Sequence, residues 1–313
     1  EEVEGEAGGG LEKFAIVTPT FPGHYPQNIR FLMTLSRNCV DCHKLRIQFV
    51  TSFPEDAPAL YNLLTSHPGL QNRLNITLHT PPYTHNEVEA GGNNLLQISI
   101  LPLRRAFEVM GVPVNETLLR TWRNKRWMGK YTHLSVKKYA GAYYAFEKQG
   151  IDVVWWLDSE AYLWKPNFKI LPFLRKEWKR PRLYWSRNSG YKRPSSVTDV
   201  CPKNGSLNVQ EVFKAPRAHL FSSSFYLVGK DLYNSWTSYV ETSWGGNRFV
   251  DIFLKHGHRE SGYILHIIES QLMVYIGGCQ SQSPIPPPCE RYQLIEVNSA
   301  LQSLINPPQL YND

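Results

Sequence analysis

Asp152-Val-Val-Trp-Trp-Leu157 runs without a break into Asp158-Ser159-Glu160. A short apolar run with no polar face fits a strand covered on both sides, as in a parallel sheet. Ahead of it, Val136, Tyr139, Ala140, Tyr143 and Phe146 recur at spacings of three and four, and Gln149-Gly150 follows. That period predicts a helix from Thr132 to about Lys148. Helix, buried strand and polar loop form one unit of an α/β sheet, and such sheets bind ligands outside the carboxyl ends of their strands. Asp158 and Glu160 are expected at that position.

The first eighty residues repeat the pattern. Phe14–Thr18, Leu45–Val50 and Leu74–Leu78 read as strands, and Gln27–Arg37 and Ala57–His67 as helices between them. This alternation predicts βαβ units and a parallel sheet. Residues 81–110 are interrupted by Gly91-Gly92, with a helix expected over Leu101–Met110. Beyond the acidic loop lie a strand at Arg182–Trp185, a polar insertion from Arg187 to Gln210 and a strand at Ser222–Val228. Helices over Lys230–Trp244 and Gly262–Ile276 follow, and a Pro-rich tail from Ser281 is expected to wrap the surface. The fold class is α/β: a Rossmann-like, mainly parallel sheet flanked by helices, with an acceptor-side C-terminal portion. Residues 11–313 read as one catalytic domain. The acidic, Gly-rich residues 1–10 read as a flexible linker or stem remnant.

Composition narrows the function classes. Hydrophobic residues make up 42% of the chain, with 9 Trp and 17 Tyr, enough for a large core. The net charge of +7 is spread out, densest at Arg120–Arg126 and Arg175–Arg182. No nucleic-acid-binding motif accompanies it, so no nucleic-acid partner is expected, whereas a diphosphate needs only a few cations. No run of 18 apolar residues is present. Cys39 and Cys42 form a lone CxxC, which alone could suggest zinc or redox chemistry, and Cys279 and Cys289 flank a Pro-rich loop suited to a disulfide. Sequons stand at Asn75, Asn115 and Asn204. Together these features point to a glycoprotein of the Golgi or ER lumen, of type II topology, whose membrane anchor lies outside these residues.

Carboxylates at i and i+2 on a loop leaving a buried strand can both reach one ion. Hard cations such as Mn²⁺ or Mg²⁺ favour such oxygen ligands, completed by substrate phosphates. The competing reading, in which Asp158 caps a turn and Glu160 is solvated, leaves ionised groups at a buried strand's mouth without a role. Lys137 or Lys138 could reach donor phosphates from the preceding helix, the alternative being a solvated face. A third metal ligand is sought among His256, His258 and His266, with His258 first, in the loop Lys255-His-Gly-His-Arg259. Should the chemistry need a general base, Asp251 and Glu269 are the carboxylates of choice. Trp244-Gly245-Gly246 suits either an acceptor loop or a helix cap.

Trp155-Trp156-Leu157-Asp158-Ser159-Glu160-Ala161 resembles the DxD region of GT-A glycosyltransferases. It is most similar to the galactosyl- and xylosyltransferases of family 34, where a Trp-Trp-x-Asp-Ser-Asp-Ala run occurs. The likeness takes in the helix bearing Lys137 and Lys138 and, more loosely, Phe225-Tyr-Leu227 and Glu269-Ser-Gln271. Glu160 replaces the family's second Asp, and the family's late His with a short Gly-Cys segment is not recognisable. The resemblance implies a nucleotide-sugar donor, a UDP-sugar being the expected one, and a glycan or glycoprotein acceptor. It also implies that Thr18, Pro19 and Thr20 help hold the nucleotide, and that Asp158 grips its diphosphate through the metal. Two other classes compete. One is a glycosyltransferase-like binding module without turnover, and the other a nucleotidyltransferase, which would need a Gly-rich stretch where Pro19-Thr-Phe-Pro22 stands.

Overall fold

Five parallel strands and one antiparallel strand form the central sheet. The computed structural model of the protein describes residues 12–79, 94–117, 119–120, 128–159, 161–186, 219–220, 226–243, 246, 248–251, 272, 275–276, 279, 283–285 and 287–296. In chain order the elements are β1 (Phe14–Pro19), α1 (Tyr25–Asn38), β2 (Arg46–Thr51), α2 (Asp56–Ser66), β3 (Leu74–Leu78), β4 (Leu96–Pro102) and α3 (Leu103–Val109). They continue with α4 (Met128–Lys148), β5 (Val153–Trp156), α5 (Ile170–Lys179), β6 (Arg182–Ser186), β7 (His219–Leu220) and β8 (Tyr226–Gly229). The last are α6 (Lys230–Ser243), α7 (Pro287–Glu290) and β9 (Gln293–Glu296).

The sheet order is β3-β4-β2-β1-β5-β8. Every residue of β1 is buried, which is why its sequence has no polar alternation. Helix α4 lies against one face of β1 and β2. Gly141 permits the approach: a Cβ there would stand 2.6 Å from Val50 Cγ2 and 2.7 Å from Val17 Cγ1. The Gln48 side chain donates from Nε2 to Gly141 O at 2.8 Å, pinning helix to sheet.

Sequence period reads α4 as amphipathic, but the helix is enclosed on nearly every side, with Ser135 through Ala142 all buried. A second helix, α6, packs beside it through aromatic side chains. The Tyr139 ring stacks on Tyr233 at 4.9 Å and on Phe249 at 4.2 Å, and the Tyr233 hydroxyl donates to Tyr139 O at 3.1 Å. Burial pushes the Tyr139 and Tyr233 phenols up, so both stay neutral at physiological pH.

Three expectations need correction. Leu96–Pro102 is a strand inserted between β2 and β3, so the helix expected from Leu101 begins only at Leu103. Helix α5 was not expected at all; its buried Ile170, Leu174 and Trp178 recur every four residues. The tail does more than wrap the surface, because β9 pairs in parallel with β6 in a second sheet of order β7-β6-β9. Tyr292, just before β9, is buried; its hydroxyl donates to Leu227 O at 3.1 Å and accepts from Gly229 N at 3.2 Å. The ring thus closes the open edge of β8, where Trp178 leaves no room for a side chain at Gly229.

Cys39–Cys42 and Cys279–Cys289 are disulfides, which sets aside the zinc reading of the CxxC pair. Cys201 lies outside the described residues. Among the described residues, no helix is long and apolar enough to cross a membrane.

Candidate functional site

Strand order reverses between β1 and β5. From β1 the chain proceeds to β2 on one side, and it returns through α4 to β5 on the other. The loops leaving the two strands therefore diverge and open a crevice, the usual ligand position in such sheets. Pro19-Thr20-Phe21 borders it from β1, and Leu157-Asp158-Ser159 from β5.

Both loops are tied down from below. Leu157 N donates to Val17 O at 3.1 Å, extending the pairing past β5, and Ala161 N donates to Asp158 O at 3.1 Å, closing a turn around the motif. Thr20 N donates to Val50 O at 2.9 Å. The Thr20 carbonyl accepts from Lys137 Nζ at 2.6 Å, and the Thr20 hydroxyl accepts from Asn28 Nδ2. A latch joins the loops: His24 Nδ1, in the short turn after β1, is in hydrogen-bond contact with Ser159 Oγ. The His24 ring packs on Phe21 with centroids 3.9 Å apart.

The two lysines of α4 have different tasks. Lys137 is buried and serves the β1 loop, with its ammonium also 6.0 Å over the Phe21 ring. Lys138 is buried too, its Nζ 2.8 Å from Asp158 Oδ1. Its side chain is 7% exposed and that of Asp158 39%, so a sheltered cation stands beneath a carboxylate that faces solvent. An ammonium this deep needs a compensating charge, and Asp158 supplies one. Neither lysine lies on a solvated face.

Of the residues singled out from sequence, Thr18, Pro19, Thr20, Lys137, Lys138 and Asp158 meet at this one crevice. Thr18 Oγ1 is buried with no hydrogen-bond partner at the carboxyl end of β1. Glu160, His256, His258, His266 and Glu269 lie outside the described residues. Asp251 pairs with Arg248 at 2.7 Å, and that guanidinium also donates to Gly111 O at 2.7 Å. Gly246 has positive φ and donates to Glu241 O at 2.8 Å, which terminates α6 as the helix-cap reading expects. His24 and Asn28 were not foreseen. The signal available was their place directly after a strand that borders the crevice.

A carboxylate is the kind of oxygen donor that hard cations favour. Asp158 offers a carboxylate at the crevice mouth, with one oxygen already on Lys138. Among the described residues, no group of three or more His, Cys, Asp or Glu side chains stands close enough to hold a metal. A separate cavity of about 430 Å³, lined by Lys13, Lys44, Arg46 and Arg175, lies at the opposite, amino end of the strands.

No protein-family model matches the chain, and no curated protein matches it. Among solved structures it is similar to core-mannan synthase A of Aspergillus fumigatus in its Mn/GDP form. The identity is 9% and the TM-score 0.44, over 93% of this chain and 74% of that one. A likeness at this level does not bear on function.

Proposed function

We propose that this chain is a GT-A type glycosyltransferase that moves a sugar from a nucleotide-sugar donor to a glycan or protein-linked acceptor. The observation that carries the reading is Asp158 at the mouth of β5, where strand order reverses, held over the buried Lys138 and facing the latched β1 loop. In this reading Thr18, Pro19 and Thr20, all buried, shape the nucleotide's side of the crevice from beneath. Lys138 holds a fixed positive charge beside the leaving diphosphate, and Asp158 keeps that ammonium in position. Asp158 and Glu160, with His258 as a third ligand, would hold Mn²⁺ or Mg²⁺. Such a cation draws off charge that accumulates on a leaving diphosphate. Asp251 or Glu269 would take the acceptor hydroxyl's proton if transfer inverts the anomeric centre. UDP is the expected nucleotide. The similarity to family 34 rests on sequence: the motif residues, the helix bearing Lys137 and Lys138 and, more loosely, Phe225-Tyr-Leu227 and Glu269-Ser-Gln271. Two disulfides support an oxidising compartment, consistent with the Golgi or ER lumen.

One observation favours a second reading, a nucleotide-binding module without turnover. Lys138 already neutralises Asp158, so the carboxylate could serve to hold a phosphate-binding lysine with no metal involved.

Calorimetric titration with UDP and with GDP, each with and without Mn²⁺, separates the two. The transferase reading expects one nucleotide to bind in a metal-dependent way. It also expects Asp158→Asn to weaken that binding by more than about a hundredfold, since altering even the partners of metal ligands costs ten- to hundredfold. Equal binding with and without metal favours the module. No binding of either nucleotide to folded protein overturns both readings.

A further inference from the structure

At the amino end of the sheet, opposite the crevice, four cationic side chains line one cavity of about 430 Å³. Lys13 stands just before β1, Arg46 opens β2 with Lys44 two residues ahead of it, and Arg175 comes from α5. The strand register fixes this wall, since Arg46 is paired with Ala15 of β1 on one side and with Gln97 of β4 on the other. On α5, Leu171 and Arg175 stand one turn apart and line the cavity, while Ile170, Leu174 and Trp178 are buried. Lys13, Lys44 and Arg46 are exposed, and Arg175 is partly buried with its Nε enclosed. Exposed lysines and arginines are ordinary. What sets these apart is the lack of counter-charge. Among the described residues Glu12 alone brings a carboxylate to the wall, and none of the four cations makes an ion pair. Two other acidic residues close by are committed to backbone amides. Asp41, three residues before Lys44, accepts from Ile170 N at 2.7 Å and Leu171 N at 3.1 Å, and Asp152, beside Ile151, accepts from Lys13 N at 2.8 Å.

We propose that this cavity binds a sugar carrying a phosphate or sulfate ester, and that it does so without a metal. Four cations and one carboxylate leave a balance of +3 on the wall, which suits an anion of one or two charges. Guanidinium groups such as those of Arg46 and Arg175 meet tetrahedral oxyanions through paired N–H bonds. The volume falls within the range of small-molecule sites and leaves room beyond a lone ion. That room is bounded by Phe14, Leu45, Ile151 and Leu171, together with the amide residues Gln97 and Gln149. The carrier of the charge therefore needs both C–H surface and hydroxyls, and a sugar ring supplies both. The site stands apart from Asp158 and does not depend on the transferase reading.

The test is calorimetric titration of the full chain, with a chelator present, against glucose, glucose 6-phosphate and glucose 6-sulfate. Wild type, Arg46→Gln, Arg175→Gln and Asp158→Asn are compared. At least one ester is expected to bind and glucose is not, and affinity should fall as salt rises. Arg46 is exposed, so Arg46→Gln is expected to keep the thermal midpoint. It should weaken binding about tenfold, as the loss of one charge-assisted hydrogen bond does. Arg175→Gln should weaken it similarly, and Asp158→Asn should leave it unchanged. Tighter binding of the 6-phosphate assigns a sugar phosphate, and tighter binding of the 6-sulfate a sulfated glycan. No binding of either ester to folded protein overturns the proposal, as does binding that ignores both Arg variants or is lost in Asp158→Asn. Binding gained only after Glu1, Glu2, Glu4 and Glu6 are all changed to Gln assigns the cavity to the chain's own acidic residues, and overturns it as well.

Discussion

Asp158 stabilises Lys138 as well as serving the proposed ligation, and the two roles can be separated by substitution. Removing the carboxylate leaves Lys138 buried without its counter-charge. Stripping one member from a fully buried pair costs about 3–5 kcal/mol, but Asp158 is 39% exposed and its attraction is screened. Asp158→Ala is therefore expected to cost about 1–2 kcal/mol in urea unfolding, and Asp158→Asn less, because its amide oxygen can still accept from Lys138. A binding comparison made with Ala alone would mix lost ligation with lost stability. Lys137 shows the opposite balance. Lys137→Met keeps the aliphatic stem but takes the donor from the Thr20 carbonyl, at an expected cost of about 1–3 kcal/mol. No loss in Lys137→Met would mean that its bond to the Thr20 carbonyl does not hold the β1 loop.

Among the elements, the two disulfides differ in what they enclose. Cys39–Cys42 spans a sequence separation of 3 and Cys279–Cys289 one of 10. Chain entropy alone gives about 2 and about 3 kcal/mol respectively, so paired Ser substitutions should rank in that order in denaturant. A reversed order would show that the shorter loop matters through Asp41, which lies inside it and caps α5. Sequence period located most elements, including β3 to the residue, because buried apolar runs carry their own signature. β4 escaped because Gly91-Gly92 interrupts residues 81–110; in the fold its polar side chains meet partners nearby, Gln97 accepting from Asn75 at 2.8 Å and Ser99 bonded to His79 at 2.8 Å. The crevice was half legible. Asp158 and the two lysines stand out from a local pattern. The His24–Ser159 latch joins residues 135 apart, and only strand order brings them together.

At the scale of the whole molecule, the two ends of the sheet differ in character. The carboxyl ends carry the crevice with its paired charges, and the amino ends carry the cavity lined by Lys13, Lys44, Arg46 and Arg175. Four of the chain's 34 Lys and Arg residues thus stand at the end of the sheet away from Asp158. Between the ends runs α4, enclosed by the sheet, α3 and α6. Its amides from Ser135 to Phe146 should be among the last to exchange in deuterated water, opening only with global unfolding, while those of Lys165 and Asn167 exchange early. Early exchange in α4 would refute the arrangement. Local opening and access are the currency of ligand entry, and Lys137 and Lys138 ride on the segment with the least of either. The floor of the crevice is therefore a permanent fixture, and on the transferase reading the arrival or release of an anionic donor would be timed by the loops above it.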